Sequence, residues 1–152
     1  MALQETALRV ALESDNAYVE SIARSNIGGV HTARGEFEAA DTQLRAALEL
    51  TIRGGFMFPR TEALVHLCDL TLAREGAEEA LPRYRETLDF AREAHHPREE
   101  AAALVGLARC EVETGDRTSG IAHAQEALDL YERMRNATQA AKLREFIAAA
   151  AA

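Results

Sequence analysis

Three glycines, Gly35, Gly76 and Gly115, cut the chain at intervals of 41 and 39 residues. That spacing restricts the possible folds more than any other feature. Each glycine follows one apolar, helix-like run and precedes another. The flanking text recurs as well: Ala33-Arg34-Gly35-Glu36-Phe37, then Ala73-Arg74-Glu75-Gly76-Ala77, then Glu113-Thr114-Gly115-Asp116-Arg117. A fixed period of this size marks an array of supersecondary units, each burying its apolar face only against its neighbours. Such an array presents a binding surface more readily than a reactive pocket.

Between the glycines the apolar residues fall at steps of three and four, the period of a helix with one buried stripe. Phe37, Ala40, Leu44, Ala47 and Leu48 form such a stripe. The pattern predicts eight helices, over residues 2–14, 16–33, 36–53, 60–74, 77–94, 98–114, 117–134 and 136–150. The first is expected to turn Leu3, Ala7, Val10 and Ala11 inward. Pro82 fits only near the beginning of the fifth, because proline lacks an N–H and crowds the preceding turn. Short connections between helices force consecutive ones to run antiparallel. The predicted fold class is therefore all-α, a solenoid of antiparallel helix pairs forming a single domain over residues 1–152.

Composition supports this and excludes several functions. Apolar residues make up 47% of the chain and aromatics 5%, with no Trp, which suits closely packed helices rich in Ala and Leu. The net charge of −8 opposes nucleic-acid binding, which depends on clustered cations that displace phosphate counterions. It equally opposes an anionic membrane surface. No apolar run is long enough for a membrane-spanning helix, and the chain does not open with a basic stretch followed by an apolar one. Two cysteines, Cys68 and Cys110, do not make a disulfide framework, so a reducing cytoplasm is the expected setting.

Aligning the units on their glycines brings out a resemblance. Residues 21–54 carry Ile27-Gly28, Gly35, Phe37, Ala40, Leu44 and Ala47-Leu48. Residues 61–94 carry Leu64, Leu67-Cys68, Gly76, Ala77, Ala80, Tyr84 and Thr87-Leu88. Residues 101–134 carry Leu104, Leu107-Ala108, Gly115, Gly120, Ala124 and Ala127-Leu128. This series resembles the tetratricopeptide repeat, with Gly76 one place late and with flanking helices at 2–14 and 136–150. The period near 40 departs from the usual length of about 34 residues. There is no Trp, and the proline at the end of each repeat is missing or displaced. Longer units of this kind are similar to those of bacterial transcriptional regulators, signalling ATPases and kinesin light chains, and the Ala/Arg-rich text looks bacterial.

The resemblance implies that the first helix of each unit lines a concave groove. The groove-facing offsets fall on Ser25, Asn26 and Gly29, on Glu62, Val65, His66 and Asp69, and on Ala102, Val105, Arg109 and Glu113. Of these, Asn26, Glu62, His66, Asp69, Arg109 and Glu113 are the expected partner contacts, and their mixed charges suit a polar peptide. The Lys and Asn clamp with which chaperone-tail adaptors of the family hold a carboxylate is absent, since its offsets hold Ser25, Gly29, His66, Ala102 and Gly106. The expected function is a non-catalytic interaction module that takes a peptide or helix from a protein partner and needs no cofactor; homo-oligomerisation is left open. The alternative is a ligand- or peptide-sensing domain of a bacterial regulator or signalling ATPase.

Other residues point less directly to chemistry. His66 and Asp69 stand three apart on a helix, the spacing of a general base and its orienting carboxylate, which makes a hydrolase the distant alternative. Glu93 and His96 form a Glu-x-x-His step, yet di-iron bundles need two such steps and further carboxylates. It reads instead as a solvated helix end. His31 reads as a packed residue and His123 as a surface one. Cys68 and Cys110 read as small packing residues. Phe56 and Phe58, in the loop between Gly54-Gly55 and Pro59, are candidates either for an exposed partner anchor or for a plug between units.

Overall fold

Every connection between helices contains one residue with a left-handed backbone, and these residues set the architecture. They are Asp15, Gly35, Gly55, Gly76, His95, Gly115 and Arg135, with φ between 51° and 103°. In the turn at Gly35, the Gly35 N–H reaches the carbonyl of Thr32 and the Glu36 N–H reaches that of His31. The same two bonds recur at the turns of Asp15, Gly55, His95, Gly115 and Arg135. This is the Schellman closure of a helix, which satisfies carbonyls that the last turn leaves open. The residue after the left-handed one then starts the next helix. Asn16, Asp116 and Asn136 each accept the backbone N–H three residues on, at 3.1–3.2 Å. The result is a reversal of about three residues.

The computed structural model describes the backbone of residues 2–152 and side chains from Thr6 onward. Among the described residues there are eight helices and no strand: α1 (Ala2–Glu13), α2 (Ala17–Ala33), α3 (Phe37–Gly54), α4 (Met57–Glu75), α5 (Ala77–Glu93), α6 (Pro97–Glu113), α7 (Arg117–Arg133) and α8 (Ala137–Ala151). They form an all-α, solenoid-like arrangement in which α1 packs on α2 and α2 on α3, and α5, α6, α7 and α8 pack each on the next. Two compact units divide the chain, Met1–Arg74 and Glu75–Ala152.

In the first unit, Ala40 and Leu44 of α3 form a buried cluster with Leu70 of α4, backed by Phe37 and Leu67. Gly28 lets α2 approach: a Cβ there would stand 2.5 Å from Leu44 Cγ. In the second unit the Tyr84 ring of α5 is fully buried and lies over Gly106 of α6, 2.1 Å from where a Cβ would stand. A stripe of Ala101, Leu104, Leu107 and Ala108 supports it. Small residues thus set close helix spacing in both units, and Leu and Tyr fill the space between.

Three sequence expectations need correction. On α1, Ala7 and Val10 are exposed, Val10 to 51%, and the inward residues are Ala11 and, in part, Leu8. Leu3 lies outside the described side chains. The fourth helix begins at Met57, ahead of Pro59, because the missing proline N–H is one that a first turn leaves unbonded in any case. Pro82 stands inside α5, at its sixth residue, and the helix continues past it.

Candidate functional site

Helices α2 and α4 both run antiparallel to α3 and are therefore parallel to each other. Their facing positions come into register at Gly29 and His66. The imidazole of His66 lies where a Gly29 side chain would be: Nδ1 and Cε1 are 2.9 Å from the position of its Cβ. One turn earlier on each helix come Ser25 and Glu62. Ser25 is fully buried and its hydroxyl has no hydrogen-bond partner, an unusual state for a buried donor. Asn26, Glu62, His66 and Asp69 are half-buried, whereas Val65 is buried at 8% and packs rather than faces solvent. The first unit thus carries a polar, partly sheltered strip along α2 and α4.

His66 and Asp69 share this strip, with Nδ1 and Oδ2 3.9 Å apart. That separation is too long for a hydrogen bond between these two atoms and suits an ion pair. In the second unit, Arg109 and Glu113 are both exposed, one turn apart on α6, with Ala102 and Val105 half-buried on the same helix. Phe56 and Phe58 separate. Phe56 sits in the turn, folded back on Gly54, with its ring edge-on to Tyr18 at 5.3 Å. Phe58 belongs to the first turn of α4 and is 37% exposed.

The remaining titratable residues are mostly structural. The ring of His31 meets the Glu36 carboxylate across the α2–α3 turn. His95 is the left-handed residue of its turn, and His96 precedes α6. Cys68 and Cys110 are buried and outside any disulfide. Among the described residues, no cluster of three or more His, Cys, Asp or Glu is placed to hold a metal ion, and no helix is long and apolar enough to cross a membrane.

Sequence reasoning missed Glu111. Its carboxylate is 1% exposed, bonded to His123 Nδ1 of α7 at 2.7 Å and approached by Arg85 of α5 at 3.4 Å. His123 is thereby a bridging residue and not simply a surface one. The signal was present: Leu104, Leu107, Ala108 and Glu111 follow the steps of one helical stripe, so the acid occupies a core position. Seven residues along α5 from Arg85, Arg92 binds Glu100 of α6 and Glu126 of α7. Partial burial opposes its charge, but the two carboxylates outweigh that and raise its pKa. Asp116 is held below its usual value, chiefly by hydrogen bonding to Ser119 at the start of α7.

Compared with known proteins, the chain matches no family model and no curated relative.

Proposed function

We propose that the chain is a non-catalytic interaction module of the tetratricopeptide type, which takes a peptide or helix of a protein partner along the first helices of its repeats. The observation that carries this reading is the sheltered polar strip of the first unit, where Gly29 makes room for His66 and a buried Ser25 hydroxyl lies one turn away. Half-buried polar groups fixed on rigid helices lose little entropy when they bind, which favours recognition of an extended chain. The helix-hairpin repeats around it and the glycine offsets of the sequence fit the same family. On this reading Asn26, Glu62, His66 and Asp69 contact the partner from the first unit, and Arg109 and Glu113 contact it from the second.

A test is to select peptides from a random display library against the whole chain and titrate the best binder by calorimetry. Asn26→Ala/His66→Ala/Asp69→Ala is expected to lose at least about tenfold in affinity, or 1.4 kcal/mol, with its circular dichroism unchanged. Arg109→Ala/Glu113→Ala reports separately on the second unit. Equal affinity in the wild type and both variants would overturn the proposal.

A further inference from the structure

The exposed apolar residues are not scattered. Of the eight large apolar side chains exposed among the described residues, Leu12, Tyr18, Val19, Ile52, Met57 and Phe58 gather at one end of the first unit. Leu12 closes α1, Tyr18 and Val19 open α2, Ile52 lies in the last turn of α3, and Met57 and Phe58 open α4. Because consecutive helices are antiparallel, the α1–α2 and α3–α4 turns lie at the same pole. The Tyr18–Phe56 contact, at 5.3 Å and 75°, joins the two halves of this pole. Ile52 is 55% exposed and Leu12 53%. An apolar cluster of this extent on an otherwise charged surface marks an interaction site.

The charges at the pole identify the occupant. The α1–α2 half carries Glu13, paired with Arg9 at 3.2 Å, and Asp15 at the tip of its turn. The α3–α4 half carries Arg53, 67% exposed and 3.9 Å from Glu49. One half therefore ends in an acid and the other in a base, with apolar groups in both. A two-fold axis brings the first half of one copy onto the second half of another, and every contact occurs twice. It sets Asp15 against Arg53 and apolar side chains against apolar side chains. Elsewhere the net charge of −8 works against self-association, so a locally balanced pole is where two copies can meet.

We propose that this pole is a homodimer interface, in which Asp15 of each copy pairs with Arg53 of the other around a centre of Tyr18, Ile52, Met57 and Phe58. The interface lies at the helix ends and is separate from the polar strip on α2 and α4.

The test is sedimentation equilibrium of the full chain over a concentration series at physiological salt. A reversible monomer–dimer equilibrium is expected. Met57→Glu and Ile52→Glu, both exposed positions, should weaken it at least tenfold without loss of helicity. Asp15→Arg and Arg53→Asp should each weaken it, and the double exchange should restore it. Arginine is compatible with that backbone, because Arg135 occupies the equivalent left-handed turn in this chain. The proposal is overturned if the wild type stays monomeric up to about 1 mM. It is equally overturned by a dimer that ignores these substitutions, or by a double exchange that restores nothing.

Discussion

His123 Nδ1 lies 2.7 Å from a carboxylate oxygen of Glu111, and that carboxylate is 1% exposed. This hydrogen bond ties α6 to α7 across the buried carboxyl group. Arg85 approaches the other oxygen from α5. A buried carboxylate without such partners is costly, whereas a well-packed apolar residue in its place is often neutral or better. His123→Ala is therefore expected to destabilise the protein by about 1–3 kcal/mol, read as a lower urea midpoint. Adding Glu111→Met to that variant should recover stability, because it removes the stranded polar group. A His123→Ala midpoint equal to the wild type's would rule out this account of the pair.

Asp116 begins α7 by accepting the Ser119 N–H at 3.1 Å, and this bonding holds its pKa below the usual carboxyl value of 3.8. A depressed folded-state pKa stabilises the fold above the unfolded pKa, and that contribution is lost as pH falls through the folded value. Thermal melts of the wild type and Asp116→Ala should therefore differ most at neutral pH. The two should converge in acid, below 3.8. Asp116→Asn, which keeps an accepting oxygen without a charge, should retain most of the wild-type melting temperature at pH 7 and contribute nothing to the acid dependence. A constant gap between wild type and Asp116→Ala at every pH would show that the cap does not act through the ionised carboxylate.

The helices were legible because their apolar stripes repeat at helical steps, and Gly35 and Gly115 were legible as turns because a positive φ favours glycine. The other turns fell in the gaps between the expected helices, but their left-handed backbone had no sequence signal. Asp15, Gly55, His95 and Arg135 stand at regular intervals of 40 residues, the most regular feature of the chain. Their side chains have nothing in common; what they share is the Schellman bonding that holds each one left-handed. The outward face of α1 was misread because its steps fit a helix stripe, but among the described side chains of α1 only Ala11 and, in part, Leu8 are sheltered. At the candidate site, helical offsets placed His66 and Asp69 on one strip, yet they also admitted Val65, which packs inward. Offsets along one helix do not show how closely a parallel neighbour approaches; that depended on Gly29.

Gly106 and Gly29 both lie against a ring from a neighbouring helix, but the rings differ in their freedom to move. The Tyr84 ring is fully buried and 2.1 Å from the Gly106 Cβ position, whereas the His66 side chain is 27% exposed and 2.9 Å from that of Gly29. Gly106→Ala should destabilise by about 1–3 kcal/mol through overpacking, more than the helix-propensity gain of about 1 kcal/mol offsets. Gly29→Ala should cost less than Gly106→Ala, because the His66 ring is partly exposed and not enclosed as the Tyr84 ring is. Chemical denaturation of the two variants side by side checks this. Equal effects would mean that the two rings are equally constrained.

The left-handed turns predict where the fold can be strengthened. A residue with a Cβ is disfavoured in this conformation by about 1–2 kcal/mol, with Asp and Asn less affected than most. His95 and Arg135, both at φ 56°, carry that cost, and Asp15 at φ 51° carries less of it. His95→Gly and Arg135→Gly should each stabilise by about 0.5–1 kcal/mol after the greater flexibility of glycine in the unfolded chain is deducted. Asp15→Gly should gain less. In the opposite direction, Gly35→Ala and Gly115→Ala should lose about 1 kcal/mol although no atom stands within 4 Å of either added Cβ. Because the space is open, any loss there comes from backbone conformation and not from a clash. Differential scanning calorimetry of these five variants would give opposite signs for the two groups, and a gain in melting temperature from Gly35→Ala would contradict the left-handed turn.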